Sequence, residues 1–284
     1  MKKSIKETLK SLGFALVAVI VLNSFVLASF QVPTGSMENT VMAGDFLFVN
    51  KFIYGGTTPP TIPLLGIFFG TEVELPYVRT PGFSDPEKGD VIVFIFPGNR
   101  DQDKAETFQY YLKRCVATAG DTIRIADKQL YINGKKVDEP EGVHHMFEPL
   151  PADNTDDMIF PRGKPWNRDQ YGPLVVPAEG DVINLTMDNI AEWATFIRRE
   201  GHTVAIAGGK ITIDGKPSAS YTVERNYVFG MGDNRDDSLD SRFWGFIPEE
   251  YVVGTPMMVY WSMDQTINNI FRKIRFSRVF TLID

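Results

Sequence analysis

The chain has 284 residues, 43% of them hydrophobic, and a net charge of −7, which allows one large domain or one domain with an elaboration. The charge is uneven: Lys2, Lys3, Lys6, Lys10 and Glu7 give residues 1–30 a charge of +3, leaving −10 on the rest. An acidic body argues against nucleic acid as the main partner, because phosphate binding needs a basic surface, and a single cysteine, Cys115, rules out an internal disulfide.

Residues 11–30 carry no charge and are mostly Leu, Val, Ile, Ala and Phe. As a helix they would span about 30 Å, the thickness of a bilayer core. The lysines precede this run and none follows closely, so the positive-inside rule predicts a cytoplasmic segment 1–10, a transmembrane anchor 11–30 and an extracytoplasmic body 31–284. Val26-Leu27-Ala28 also offers a signal-peptide cleavage site, but the apolar run exceeds the ~7–15 residues of a usual signal core. Either reading exports the body.

The body reads as mainly β. Segments 45–54 (DFLFVNKFIY), 90–97 (DVIVFIFP), 110–120 (YYLKRCVATAG) and 121–137 (DTIRIADKQLYINGKKV) are rich in Val, Ile, Phe and Tyr and bounded by Gly, Asp and Pro. Asn133-Gly134 and Asp214-Gly215 are hairpin signals of the type I′ kind. PEKGDVI (86–92) and PAEGDVI (177–183) read as one turn used twice. Regions 55–88 and about 138–176 are polar and rich in Pro and Gly, as loops or an inserted sub-domain would be. In 187–201, Ile190, Trp193, Ala194 and Ile197 recur at helical spacing. The C-terminal NNIFRKIRFSRVF fits either a short basic helix or a closing strand. The aromatics of FLFVNKFIY and of GIFFG (66–70) fit either core strands or an apolar surface that meets lipid headgroups.

Ser36 follows Pro33-Thr34-Gly35, a rigid and open frame that suits an exposed nucleophile and an ordinary turn equally. A serine needs a base before it attacks an amide. His144, His145 and His202 fall in loop-like surroundings with no triad pattern, and they supply too few ligands for zinc. Lys113 is the other candidate. Period two puts it on one face of its strand with Tyr111, Cys115 and Ala117, and Arg114 on the other; burial there would lower its pKa. The run MGDNRDDSLDSRFWGFIP (231–248) crowds Asp233, Arg235, Asp236, Asp237, Asp240 and Arg242 around Ser238 and Ser241. Its spacing is not that of a calcium loop. Mixed signs point instead to a carboxylate–guanidinium network that stiffens the loop.

In this order, and behind an N-terminal anchor, VPTGSMENTVMAGDFLFVNKFIYG, KGDVIVFIFP, YYLKRCVATAGDTIRI, LYINGKKV and MGDNRDDSLDSRFWGFIP resemble bacterial type I signal peptidases, membrane-anchored Ser–Lys proteases. The resemblance implies a β-rich catalytic domain of that type, with a variable cap over about 138–225 to which no role attaches. It implies cleavage of signal peptides from exported preproteins after small residues in an Ala-X-Ala-like pattern, with neither cofactor nor metal, at the cytoplasmic membrane. By the same resemblance Ser36 is the nucleophile, Lys113 the general base and Thr34 an oxyanion donor beside the Ser36 amide. Ser238 would orient the Lys113 amine, with Asp240 and Arg242 supporting its loop. Two positions depart from the family pattern: Ala119 stands where proline is common, and Cys115 where an aliphatic residue is usual.

Three rival readings fit the sequence less well. A soluble self-cleaving Ser–Lys peptidase would need a DNA-binding helix pair in place of the anchor. A penicillin-binding enzyme would need Ser-x-x-Lys, which occurs nowhere in the chain. A catalytically silent anchored β-domain that binds exported chains by strand addition would leave Lys113 without a use.

Overall fold

The apolar N-terminal run folds as two elements. In the computed structural model, which describes residues 2–58, 78–269 and 272–283, helix α1 runs over Lys2–Phe25. Its stretch Ile5–Phe25 is long and apolar enough to cross a membrane. Leu9, Leu12, Phe14, Val17 and Val19 are exposed along it, as suits a helix whose solvent is lipid. The last residues of the run, which sequence assigns to the anchor, belong instead to strand β1 (Leu27–Gln31), paired antiparallel with β2 (Asp45–Asn50). Ala28 opposite Val49 and Phe30 opposite Leu47 give them a β partner, and that tertiary pairing overrides the continuous apolar pattern.

The chain divides into two units. One comprises Met1–Pro33, Ala43–Asp85 and Val253–Asp284. Here β2 lies between β1 and a long strand that starts at Val252 and ends at Ser262 (β16), which also pairs with β17 (Thr281–Leu282). Among its described residues the segment NNIFRKIRFSRVF (268–280) is neither a basic α-helix nor a strand: it carries one 3₁₀ turn at Phe276–Arg278, and the closing strand β17 begins just after it. Arg278 reaches the buried carboxylate of Asp45, which also accepts the Ser262 hydroxyl at 2.6 Å. Gly56 lets the chain pass the end of α1, since a Cβ there would meet Phe25 Cα at 2.5 Å. The apolar residues of this segment divide: Leu47 and Val49 are core, Phe46 and Phe48 lie against Tyr260, and Phe52 is tilted against the exposed Phe83 with ring centroids 4.5 Å apart. GIFFG lies outside the described residues.

The second unit comprises Thr34–Met42 and Pro86–Val252. Strands β3 (Val91–Ile95), β4 (Tyr110–Thr118), β14 (Tyr227–Met231) and β15 (Ile247–Pro248) hydrogen-bond in that order. A second sheet joins β5 (Thr122–Ala126), β6 (Gln129–Ile132), β7 (Lys135–Lys136) and β8 (Tyr171–Val175) in the order β7-β6-β5-β8. Between β8 and β14 lie the pair β9 (Val182–Asn184) and β13 (Ser220–Thr222) and the meander β10 (Val204–Ala207), β11 (Lys210–Ile213), β12 (Lys216–Pro217). Helix α2 (Ile190–Arg199) forms where its periodicity predicts, burying Ile190, Phe196 and Ile197. A single-turn helix, α3 (Ser241–Trp244), follows the acidic loop.

Local turn chemistry sets much of this architecture. Asn133-Gly134 and Asp214-Gly215 both have φ between +50° and +76°, as a type I′ hairpin requires. The repeated Gly-Asp turn occurs a third time. Asp90, Asp121 and Asp181 each accept from the backbone N–H three residues earlier, at 2.9–3.0 Å, with the preceding glycine at positive φ. Ala119 sits in the second of these turns, where the Asp121 carboxylate closes the loop without a proline. The expected cap is not a separate lid. Ile159, Tyr171, Leu185, Ile197 and Tyr221 share one apolar core with Val116 and Ala117 of β4 and Phe229 of β14, so residues 138–225 help hold the strand that carries Lys113.

Candidate active site

Ser36 sits in a turn closed by Glu38 N–H donating to Gly35 O at 2.9 Å. Met37 plugs that turn into the protein, with 1% exposure, and Asn234 ties it from outside: its backbone N–H donates to Ser36 O at 3.1 Å, its amide to Gly35 O at 3.3 Å. Lys113 arrives from the middle of β4, in register with Ile92 of β3. Its Nζ lies 2.5 Å from Ser36 Oγ. A bulge between Phe229 and Gly230 in β14 brings Gly230 against the lysine stem, where an added Cβ would sit 3.1 Å from Lys113 Cβ.

Lys113 is 3% exposed. Burial lowers its pKa from 10.5 to about 8, with the nearby Asp240 charge pulling upward, Arg242 downward and Asp233 upward. Burial prevails because each of those charges already has a partner. Arg242 grips Asp240 through Nε and Nη2 at 2.9 and 2.8 Å. Arg114 grips Asp233 the same way, at 2.9 and 2.8 Å. Burial alone would raise the Asp240 pKa, but the Arg242 charge and hydrogen bonds outweigh it and hold the carboxyl below its usual range. Two nearly neutral pairs leave the lysine buried in a weakly charged site.

The family model described as signal peptidase, peptidase S26, matches residues 5–261. The chain belongs to that family. Signal peptidase I of Haemophilus influenzae is 31% identical, over 98% of this chain and 75% of its own length. The Pseudomonas aeruginosa signal peptidase I is 29% identical over 95% and 76%, and that of Rickettsia typhi 27% identical over 98% and 94%. A crystal structure of a signal peptidase I from Enterococcus faecalis shares 21% identity over 61% of this chain and 97% of its own, at a TM-score of 0.27, a superposition too loose to inform the site.

Among the residues that the signal peptidase resemblance singles out, Ser36 and Lys113 meet as expected, and Asp240 pairs with Arg242. Thr34 is exposed beside them, and the Ser36 amide donates to no acceptor among the described residues. The expected hydrogen bond from Ser238 to the Lys113 amine is absent. Ser238 Oγ is buried and has no hydrogen-bond partner, while the amine is engaged by Ser36. Ser238 is still at the site: a Cβ on Gly232 would meet Ser238 Oγ at 2.2 Å and Ser36 O at 2.5 Å.

The loop network is only partly internal. Asp240 and Arg242 pair within the loop, but Asp233 pairs with Arg114, Arg235 with Glu139 at 2.8 Å, and Asp236 with Lys128. Burial alone would raise the Asp236 pKa, yet the Lys128 hydrogen bond and the Phe147 and Met146 amides bring it below its usual value. Thr40 adds a hydroxyl donated to Asp233 at 2.5 Å, joining the Ser36 turn to the loop. Sequence reasoning missed Asn234, Thr40, Arg114 and Lys128 as supports. Asn234, Thr40 and Arg114 each fell inside a quoted motif, but none carried a sign of the partner that it reaches.

The histidines stay away from the base position. His144 contacts Asn39 at 3.0 Å and His145 contacts Glu139 at 3.1 Å. His202 lies between Asp214 and Glu224, and its hydrogen bonds to those two carboxylates raise its pKa. Cys115 is fully buried, and burial pushes its thiol up to about 12, so it offers no thiolate near neutral pH.

Proposed function

We propose that Ser36 is the nucleophile and Lys113 the general base of a serine endopeptidase that removes signal peptides from exported preproteins. The observation that carries this reading is the 2.5 Å contact between Lys113 Nζ and Ser36 Oγ, made by a lysine whose pKa burial has lowered to about 8. At pH 7 such a group is neutral in about 10% of molecules, against well under 0.1% for an exposed lysine.

The neutral amine accepts the Ser36 hydroxyl proton as Oγ attacks the carbonyl carbon before the scissile bond. Negative charge then develops on the carbonyl oxygen, where the Ser36 N–H and the Thr34 hydroxyl donate to it. The Lys113 ammonium returns its proton to the departing amine, leaving the signal peptide as an ester on Ser36. Water, deprotonated by the same lysine, hydrolyses that ester and frees both product and enzyme. Ser238, buried and unbonded in the resting site, orients the amine once Ser36 has become acylated. Asp240 and Arg242 support its loop.

Helix α1 anchors the chain in the cytoplasmic membrane with its lysine-bearing end inside, and the β-rich body that follows it works on the outer side. Between Phe25 and Ser36 the chain is short, at most about 40 Å even if fully extended. A nucleophile so tethered meets bonds that emerge just beyond a substrate's own apolar helix. A silent strand-binding domain would leave the Ser36–Lys113 contact without a use. The test is to incubate detergent-solubilised protein with a signal-bearing precursor and map the cut by mass spectrometry. One cut at the signal-peptide boundary, lost in Ser36→Ala, is expected; cleavage by Ser36→Ala, or none by the wild type, would overturn the reading.

A further inference from the structure

Arg114 and Val116 share one face of β4 by the period-two rule, and both line a cavity of about 490 Å³ whose walls include neither Ser36 nor Lys113. Small-molecule sites typically have volumes of roughly 300–1,000 Å³. The apolar wall is Val116, Leu130, Ile132 and Val137, of which Val137 is the most exposed. Four cations and two carboxylates, Asp138 and Glu139, line the cavity; of the cations Lys88 is paired with Asp121 and Arg114 with Asp233, which leaves Lys135 and Arg235 to set its charge. Glu139 is already bound by Arg235 and His145. Lys135 is exposed and enters no ion pair among the described residues. Arg235 is 3% exposed, and its buried Nε meets no acceptor. A buried N–H with nothing to donate to is costly, and a small turn of the Arg235 side chain toward the cavity that it lines would bring that donor to an entering acceptor.

We propose that this cavity binds a small anionic amphiphile, its apolar chain along Leu130, Ile132 and Val137 and its anionic head against Arg235 and Lys135. Carboxylate and phosphate heads offer a guanidinium the same acceptor chemistry, so a fatty acid and a lipid phosphate monoester are both sources of such a ligand. The site lies outside the residues that carry the proposed proteolysis and stands independently of them.

The full-length protein in non-ionic detergent is titrated calorimetrically with octanoate, octyl phosphate and, as the uncharged control, octanamide. Uptake of probe by micelles is common to all protein variants and cancels between them. Saturable binding of at least one anion is expected, with octanamide at least tenfold weaker. Val137→Trp, which fills the cavity, and Lys135→Glu, which reverses a charge at its wall, should each weaken binding about tenfold or more while leaving precursor cleavage intact. Val137→Phe replaces Val137→Trp if the latter does not fold. The tighter of the two anions identifies the head group. Equal binding of octanamide and octanoate, equal binding by the wild type and the cavity-filled variant, or no saturable binding of either anion would overturn the proposal.

Discussion

Replacing Lys113 by methionine should make the protein more stable while abolishing its activity. The wild-type lysine is 3% exposed with a pKa lowered by burial from 10.5 to about 8. That difference corresponds to about 3 kcal/mol, at 1.36 kcal/mol per pH unit, for keeping the ammonium in the fold at pH 7. Methionine has similar length and no charge, but it forfeits the hydrogen bond to Ser36, worth about 1 kcal/mol. The net expectation is a gain of about 2 kcal/mol, or roughly 4–8 °C in melting temperature for a chain of this size. The pH dependence fixes the sign. Below pH 8 both folded and unfolded lysines are protonated, and the penalty is complete. Between pH 8 and 10.5 the unfolded chain holds the proton that the folded chain has released, so wild-type stability rises with pH. The advantage of Lys113→Met should therefore be largest at pH 7 and nearly gone at pH 10. Thermal melts of both proteins in one non-ionic detergent at the two pH values measure it. A Lys113→Met variant no more stable than wild type at pH 7, or equally favoured at pH 10, would refute the claim that burial holds this lysine near neutrality.

Thr34→Val should slow cleavage by about 10²–10³, the usual cost of one oxyanion donor, with unchanged substrate affinity and unchanged melting, because Thr34 is exposed; Thr34→Ser should stay active. Asp240→Asn leaves Arg242 charged and buried without its counter-ion, and breaking such a pair costs roughly 3–5 kcal/mol in denaturant titrations. Asp237→Asn, exposed in the same loop, should leave stability unchanged. A substrate strand presents alternate side chains to the site, and overfilling a shallow pocket is destabilising. Precursors with Phe or Leu at the residue before the cut, or two positions upstream of it, should be cleaved poorly in a competition assay.

Much of the site was legible because it rests on local chemistry. The Asn133-Gly134 and Asp214-Gly215 turns, the Gly-Asp turns and the α2 periodicity each depend on a few adjacent residues, and all appear where the sequence puts them. Lys113 was recognisable because strand alternation surrounds it with neighbours able to bury it. What escaped depends on pairings distant along the chain. Nothing near Arg114 announces that Asp233 pairs with it on the second face of β4. The end of the anchor was set too late because Leu27–Phe30 look as apolar as a helix until β2 supplies their hydrogen-bond partners. The middle region could be given no role because its core residues, among them Ile159, Tyr171 and Tyr221, are widely spaced in sequence and meet only in the folded core. Ser238 shows a different limit: a motif gives its neighbourhood, not the state of its hydroxyl.

The pH profile of kcat/KM for precursor cleavage tests the central claim, that neutral Lys113 is the base. Two other kinds of group can imitate its titration. Lys51 is also buried, and burial lowers its pKa to about 8, while histidines ordinarily titrate near 6.5. The profile is therefore recorded for wild type, Lys51→Met and a protein with His144, His145 and His202 all replaced by glutamine. All three should rise with pH through a midpoint near 8, and Lys113→Arg should be inactive throughout, since arginine stays protonated. A midpoint that disappears with Lys51 or with the histidines, or turnover that survives in Lys113→Arg, would contradict the account.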